Sequence, residues 1–538
     1  MDSQTSQTED QNLVHSRLLK VPPEVLLHIS SYLPTLDYGR LRCVCRQIEK
    51  SLFPSFAREF FTQRQFMLTE FSLQALVDIS KSRLGPHLKC LIISLERPNA
   101  WDFQRQGINV GTQSLGDALK YNNFYEQCIN HQTLISSGQD VELLAEALRN
   151  LSKLQTIGLR DFYSPGRSRD GDHKTWRTYG AQTFWEETNS HLEQPRFIRP
   201  PNAPQEGHAS YVSHTFIAML RALGKARDMH QPPEFQVVLR TCYLPPPAFN
   251  IPRYLEPTIL PVLQDLKVLF LDLGPISFSR FTINNGGRYE GFTYTGYLLA
   301  KFLSKTPSLK HLRLNFRDCG IAEAKGILQW LAQVPISPGI PQPSMWSVSE
   351  EVGMDGVQNS ANIRERFPTL PPPAFQHLEK LEIGMVTVGL PLLLSVFKRY
   401  KSSLRAISLH KVTLDSPPQN HTSGKVNLWS KFFSQITKLG LTLTAMQLSY
   451  IRQKYNTTPY SVEFGRPIYD PIVNPFCKGW SGFDVERASQ EFIESMIIHW
   501  PDDEEMEDDD MSSESDAENL GWDEDNDMDD EDDDDVIN

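Results

Sequence analysis

The chain has 538 residues, 40% of them hydrophobic, and a formal net charge of -13 at pH 7. This length and composition exclude a fibrous protein and suit one large core or two to four ordinary domains. The seven cysteines form no C-x-x-C pair, and no segment resembles a signal peptide or reaches the roughly 18 apolar residues of a membrane span. We therefore expect a reducing compartment, cytoplasm or nucleus, and no membrane partner.

The N-terminal region is predicted to be a short leader followed by a helix. The first residues are polar and lack aromatic side chains, so we predict disorder over 1–14. Pro22 and Pro23 suit the first turn of a helix, where an amide proton would be unbonded anyway. Apolar residues then recur at helical spacing up to Leu33, and Pro34 ends the pattern.

A second helix is predicted directly afterwards. Asp37 can cap it by accepting hydrogen bonds from the free N-terminal amides, and Pro54 ends the unit. Its apolar stripe consists of Leu41, Val44, Cys45 and Ile48. The sequence thus predicts an all-helical hairpin within a domain over 15–65.

From about residue 70 the sequence alternates amphipathic helices with segments in which apolar residues are spaced as apolar-x-x-apolar-x-apolar. Seven segments share this spacing and begin at Leu88, Leu154, Leu266, Leu309, Leu378, Leu404 and Ile436. The helix candidates are Leu73–Ser80, Val141–Leu148, Tyr297–Leu303, Leu392–Tyr400 and Leu428–Phe433. The spacing puts alternate side chains on one face of a strand, and stacked units would form a parallel sheet covered by helices.

This α/β arrangement resembles a leucine-rich-repeat solenoid, here predicted over 66–500. Its spacing is irregular, because only the step from Leu378 to Leu404, 26 residues, falls within the roughly 20 to 29 residues of regular repeats. The long gaps hold either degenerate units, such as a helix over 216–223 followed by a strand over 235–239, or loop insertions. Insertions are predicted near 161–212 and 334–374, which are rich in proline and polar residues.

In such a solenoid the leucines form the core, and binding falls to outward positions of the strands and the loops beside them. Each polar residue there is, taken alone, more simply a solvated side chain. Together they indicate a groove for a target protein. The candidates are Arg160, Lys267, Asp272, Arg313, Asn315, Glu382, Arg405, Ser408 and His410.

The acidic tail is predicted to be disordered. Residues 501–538 contain 22 Asp and Glu and no Lys or Arg, which leaves 44 acidic against 53 basic residues, a formal +9, over 1–500. The tail is either a solubilising, self-repelling segment or a contact for basic partners or the chain's own basic body. Ser513 and Ser515 resemble casein kinase 2 phosphorylation sites.

Residues 21–37 (VPPEVLLHISSYLPTLD), followed by LRCVCR at 41–46, resemble the F-box motif in its fungal form. The resemblance covers under a tenth of the chain and departs from the family pattern at Val21, Ser30, Gly39 and Ile48. It implies docking on the Skp-type adaptor of Skp-cullin-F-box ubiquitin ligases. A short helical hairpin cannot bury all its apolar side chains, so some should remain exposed for a partner. The adaptor-binding candidates are Pro22, Pro23, Leu26, Ile29, Leu33, Leu36, Leu41 and Val44.

The alternative for these residues is packing against the following domain, which is the usual meaning of an apolar stripe. For the chain as a whole, we found no phosphate-binding glycine loop with lysine, no H-E-x-x-H and no G-x-S-x-G motif. We therefore expect a non-catalytic protein without cofactor or metal.

The predicted function is substrate recognition within the ligase. The protein would be monomeric in that complex and would hold an unidentified target through the repeat domain. The alternative is an adaptor-independent scaffold, whose repeat domain and acidic tail bind basic, possibly nuclear, proteins. Nucleic-acid binding is not favoured, because basic clusters such as 398–401 are short.

Overall fold

The computed structural model describes most of the chain up to residue 500. The described residues are 17–99, 115–165, 168–171, 175–195, 206–226, 233–274, 294–317, 321–334, 370–415, 425–455, 458–465 and 474–500. The acidic tail, with Ser513 and Ser515, lies outside them.

Three helices form the N-terminal domain: α1 (Pro23–Ser31), α2 (Thr35–Cys43) and α3 (Arg46–Phe61). The prediction of two helices was wrong, because Cys45 has an extended backbone (φ -159°, ψ 162°) that breaks the predicted stripe between Val44 and Ile48. Pro54 lies inside α3 and does not end it. The domain is therefore a three-helix unit.

The main body contains a ten-stranded sheet. Within the described part of the chain, nine of its strands are parallel and follow one another in chain order, and the tenth, β16 (Cys477–Ser481), pairs antiparallel at the end. Buried apolar residues alternate with outward residues along strands such as β8 (His311–Phe316), where Leu312 and Leu314 are fully buried. The strands are β1 (Gln63–Met67), β2 (Cys90–Ser94), β3 (Thr156–Arg160), β4 (Ser164–Pro165), β5 (Thr175–Trp176), β6 (Glu234–Val238), β7 (Val268–Leu273), β8 (His311–Phe316), β9 (Lys380–Gly384), β10 (Thr387–Gly389), β11 (Ala406–His410), β12 (Thr413–Asp415), β13 (Ala445–Ser449), β14 (Arg452–Tyr455), β15 (Thr458–Phe464), β16 (Cys477–Ser481) and β17 (Met496–Ile498).

Helices between the strands cover the leucine-bearing face of the sheet, and neighbouring helices pack on one another in the order of the strands. The leucine-bearing face therefore meets the apolar stripes of these helices in one continuous core. The helices are α4 (Glu70–Lys81), α5 (Leu115–Ser137), α6 (Gln139–Asn150), α7 (Ala181–Thr188), α8 (Glu206–Lys225), α9 (Glu256–Asp265), α10 (Tyr294–Leu303), α11 (Ile321–Leu331), α12 (Leu390–Arg399), α13 (Leu428–Lys438) and α14 (Val485–Ser495).

The same corner recurs after three strands near the C-terminal end. Met385, Lys411 and Tyr450 directly follow β9, β11 and β13 and have positive φ values of 55°, 52° and 51°. Met385 and Lys411 donate their backbone N–H groups to the last residue of the neighbouring strand, His410 (2.7 Å) and Ser449 (2.8 Å) respectively. Tyr450 donates to Phe476 (2.8 Å), the residue before β16. This left-handed residue turns the chain from the large sheet into a second, five-stranded sheet in the order β10-β12-β14-β15-β17.

Six of the seven predicted leucine-spaced segments lead into strands, and the degenerate unit predicted at 216–239 is α8 followed by β6. The segment beginning at Ile436 was assigned wrongly. Ile436 is a buried residue of α13, and the strand is β13, preceded by Leu443 with the same spacing. Two apolar runs seven residues apart fit the pattern, and the helix extends over the first.

The region near 161–212, predicted as a loop insertion, contains the β4–β5 hairpin, α7 and the first turns of α8. These elements are ordered despite the polar composition of the region, because α7 buries Ala181 and Phe184. Phe184 packs on Phe124 of α5. Most of the insertion predicted near 334–374 lies outside the described residues. No helix in the described part is long and apolar enough to span a membrane.

One buried histidine makes the fold sensitive to acid. His131 of α5 is 7% exposed, its Nδ1 lies 2.9 Å from the Leu68 carbonyl oxygen, and burial lowers its pKa to about 4. The unfolded chain therefore takes up this proton at higher pH than the folded one, and the associated stability, about 3 kcal/mol, is present above pH 6.5 and lost as pH falls to 4. We expect His131→Asn, which can still donate to Leu68, to lose this dependence.

Urea unfolding at pH 7 and pH 4 tests this expectation. The difference in the free energy of unfolding between the two proteins should move by about 3 kcal/mol in favour of His131→Asn on acidification. Parallel pH profiles for the two proteins would show that His131 does not carry the effect.

Candidate functional site

The helical domain has its own small core. Tyr38 and Leu52 are fully buried, and Leu26 and Ile48 are 3% and 2% exposed. Leu26 is therefore a core residue, and the expectation that it offers surface to an adaptor is corrected: one side of α1 has to pack on α3. Two further candidates, Leu33 and Leu41, are half-buried against the same core.

The other candidates remain on the outside. Ile29, Leu36 and Val44 are 43%, 64% and 66% exposed, and Pro22 and Pro23 are exposed beside them. The sequence reasoning missed two further members, Val25 (47%) and Tyr32 (76%), although their spacing of four and then three residues around Ile29 is a helical signal. We call the following set the apolar helix surface: Pro22, Pro23, Val25, Ile29, Tyr32, Leu36 and Val44.

Two of the departures from the family pattern are buried. Ser30 is 2% exposed and its hydroxyl donates to the Leu27 carbonyl at 2.8 Å, while Ile48 is part of the core. Ser30 and Ile48 therefore belong to the interior of the domain and not to the apolar helix surface.

Arg169, in the segment between β4 and β5, joins the main body to the helical domain. Its Nη1 donates to the carbonyl oxygens of Ser30 (2.9 Å) and Leu33 (2.8 Å) at the end of α1. Its Nε and Nη2 pair with the carboxylate of Glu59 on α3, and the guanidinium lies 4.4 Å from the ring centre of Tyr38. One side chain from the body thus contacts two helices and the domain core.

The neighbouring Asp170 caps α2. Its Oδ1 accepts from the Thr35 amide at 2.8 Å and its Oδ2 accepts from the Thr35 hydroxyl. The prediction that Asp37 caps this helix was wrong, because Asp37 lies within its first turn. The capping residue lies 135 positions from Thr35 in the chain, so a local sequence pattern could not predict it.

On the outward face of the large sheet, the charged candidates are mostly paired. Asp272 is 6% exposed, and its carboxylate accepts from the Leu239 amide and the Asn315 side chain, each at 2.7 Å. Arg313 lies 3.7 Å from the same carboxylate. Burial raises the pKa of Asp272. Asp272 and Asn315 therefore bind the chain's own groups and offer little to a ligand, which corrects their assignment as groove residues.

Glu382 is also engaged. Its Oε1 lies 2.7 Å from His311 Nε2 and 2.6 Å from Lys380 Nζ. Burial alone would raise the pKa of Glu382, but the hydrogen bonds from His311 and Lys380 outweigh it and lower the pKa to about 2. The carboxylate is therefore ionised and already neutralised by its neighbours at pH 7.

The remaining groove candidates differ in their position and surroundings. Lys267 and Arg405 precede β7 and β11 and so lie outside the strands, which corrects their assignment as strand positions. Arg160 ends β3 beside Phe162, its guanidinium 5.4 Å from the ring centre. His410 Nδ1 lies 2.8 Å from the Ser449 hydroxyl, and burial lowers the pKa of His410 to about 4, so it is neutral at pH 7.

Ser408 lies in an open cavity of about 340 Å³ across β9, β11, β13 and β16. We call this cavity the C-terminal cup. Its outward-facing residues are Lys380, Ala406, Ser408, Ala445, Gln447, Gly479 and Ser481. No group of His, Cys, Asp and Glu able to hold a metal occurs among the described residues.

Comparison with known protein families identifies the N-terminal domain. Residues 18–61 match the F-box-like family model, and this range contains α1, α2, α3 and the apolar helix surface. No curated protein matches the chain. F-box domains generally bind Skp-type adaptors and thereby link to cullin complexes. The chain thus contains an F-box-like domain at residues 18–61, which supports its being an F-box protein.

Proposed function

We propose that this chain is the substrate-recognition subunit of a Skp-cullin-F-box ubiquitin ligase. The apolar helix surface carries the proposal: seven exposed residues lie on one small domain, within the 44 residues that match the family. An exposed apolar set of this kind is unfavourable in water unless a partner covers it. The adaptor is the partner that the family match suggests.

The main body would hold the target. Its parallel strands in chain order and the recurring left-handed corner support a leucine-rich-repeat-like solenoid. The chain would act by position: it would raise the effective concentration of target lysines near the ubiquitin-charged enzyme, without supplying catalytic groups of its own. We place this activity in the cytoplasm or the nucleus.

Adaptor affinity of surface variants tests the proposal. Leu36→Asp and Val44→Asp should each weaken binding of the purified full chain to a Skp-type adaptor by about 30-fold, because each places a charge in an apolar contact worth about 2 kcal/mol. Leu119→Asp on α5, where the leucine is 57% exposed, is the matched control and should leave binding unchanged.

These positions are preferable to Leu33 and Leu41, whose replacement by Asp would also disturb the domain core. The proposal fails if the wild-type chain does not bind the adaptor, or if all three variants bind it as tightly as wild type. Loss of every partner on deletion of 501–538 would instead favour the scaffold that uses the acidic tail.

A further inference from the structure

The central part of the outward sheet face has little free charge to offer a ligand. Glu382 is satisfied by His311 and Lys380, and Asp272 by Asn315 and a backbone amide. A ligand that used these groups would first have to break contacts that are partly buried, at a cost close to what it gains. Target recognition should therefore use another part of this face.

The C-terminal cup differs in chemistry. Ala406, Ala445 and Gly479 have small side chains or none, which leaves the cavity open above the strands. Ser408 and Gln447 line the cavity and make no side-chain hydrogen bond to another described residue. The cup is thus largely uncharged and has free hydroxyl and amide groups, which suits uncharged side chains and polypeptide backbone.

The cup ends at the open edge of the sheet. In the antiparallel pairing of β13 with β16, the Gly482 N–H donates to the Thr444 carbonyl at 2.9 Å, next to the pair formed by Ala445 and Ser481. Because backbone bonding alternates along an antiparallel pair, Gly479 and Ser481 direct their N–H and C=O groups away from β13. Among the described residues no strand pairs with the part of this edge formed by Gly479 and Ser481, and both residues are exposed. Before β16 begins, Phe464 of β15 donates its N–H to the Pro475 carbonyl at 2.8 Å.

We propose that an extended, largely uncharged segment of the target protein adds to the edge of β16 as an eleventh strand and places a side chain in the C-terminal cup. The backbone groups of Gly479 and Ser481 would supply affinity, and the cup would select the side chain. This inference rests on the proposed function and names the kind of segment that the ligase subunit takes.

Selection from a random 12-residue phage-displayed peptide library on the purified full chain, without adaptor, tests the proposal. We expect enriched peptides to be poor in charge and rich in β-branched residues, since these favour an added strand. Gly479→Pro removes an outward N–H, which an edge strand tolerates, and should weaken the selected peptides at least tenfold. Ser408→Arg, which fills the cup from another strand, should do the same.

Gln236→Arg is the matched control, because Gln236 occupies the same register row on β6 and is also half-buried. It should leave peptide affinity unchanged, and all three variants should keep the wild-type melting temperature. The proposal is overturned if no peptide is enriched, if Gly479→Pro and Ser408→Arg bind the peptides as wild type does, or if the wild-type chain dimerises through this edge and Gly479→Pro abolishes the dimer.

Adaptor binding is measured on the same proteins. If Gly479→Pro and Ser408→Arg lose peptide binding but still bind the adaptor, their effect is confined to the cup and the edge of β16. If no protein binds the adaptor, the proposed function fails, and the peptide result is judged separately.

Discussion

Arg169→Ala is expected to lower the free energy of unfolding of the helical domain by about 3 to 5 kcal/mol, the range for breaking a buried charge pair from one side. The Arg169 side chain is only 8% exposed, and its loss leaves the Glu59 carboxylate without this partner. The Leu33 carbonyl oxygen loses the Arg169 donor as well, and the Ser30 carbonyl oxygen keeps only the Leu33 backbone N–H.

Native-state hydrogen exchange of the amides of α1 and α2 measures this change, because it reports the opening free energy of each part of a protein separately. Arg83→Ala is the matched control: Arg83 also pairs with a glutamate, Glu49, but is 61% exposed, so its pair should be worth less than about 1 kcal/mol. Equal protection in Arg169→Ala and Arg83→Ala would contradict the expected role of Arg169.

The second large effect is expected at Asp161, directly after β3. Asp161 is fully buried, and its carboxylate accepts from the backbone amides of Arg240 (2.7 Å), Thr241 (2.6 Å) and Cys242 (2.8 Å), and from the Thr241 hydroxyl. Asp161→Ala leaves three backbone amides, including the buried amide of Cys242, without this acceptor, and we expect the free energy of unfolding to fall by about 3 to 5 kcal/mol.

Asp161→Asn should be nearly as damaging, because its amide group would direct donors toward donors. Asp265→Ala is the control, since Asp265 is exposed at the end of α9 and should change stability by less than about 0.5 kcal/mol. Urea unfolding at pH 7 compares the three variants. If Asp161→Ala unfolds at the same urea concentration as Asp265→Ala, the carboxylate does not hold the loop after β6.

The strands of the main body were largely predictable from sequence, because buried leucines at fixed spacing report the face of a strand directly. The strand β1 was missed, since in Gln-Arg-Gln-Phe-Met only Phe66 and Met67 are apolar. Its burial comes from position: Tyr179 donates its amide to the Gln65 carbonyl along the outer edge, and Gln65 bonds Thr178. A polar strand is stable there because a later segment covers it.

The candidate site was predictable only in part. The motif located the helical domain and five exposed members of its apolar surface, but hydrophobicity did not separate buried Leu26 from exposed Leu36. The groove candidates were chosen because polar residues alternate with leucines along the strands. This alternation predicts that a side chain points outward, but it does not predict whether a neighbouring side chain neutralises its charge. Asp272 and Glu382 are both held by residues on the adjacent strand β8.

By itself, the sequence determined the class of the N-terminal domain and the α/β order of the body, because both depend on local spacing of apolar side chains. The tertiary structure decided how the two are joined and which surfaces are free. The contacts of Arg169 and Asp170 link residues more than 130 positions apart. In the part of the chain that the structure describes, β16 has an open edge because this antiparallel strand is the last of the sheet. Contacts between residues so far apart in the chain, and a chain reversal of this kind, leave no periodic pattern in the sequence.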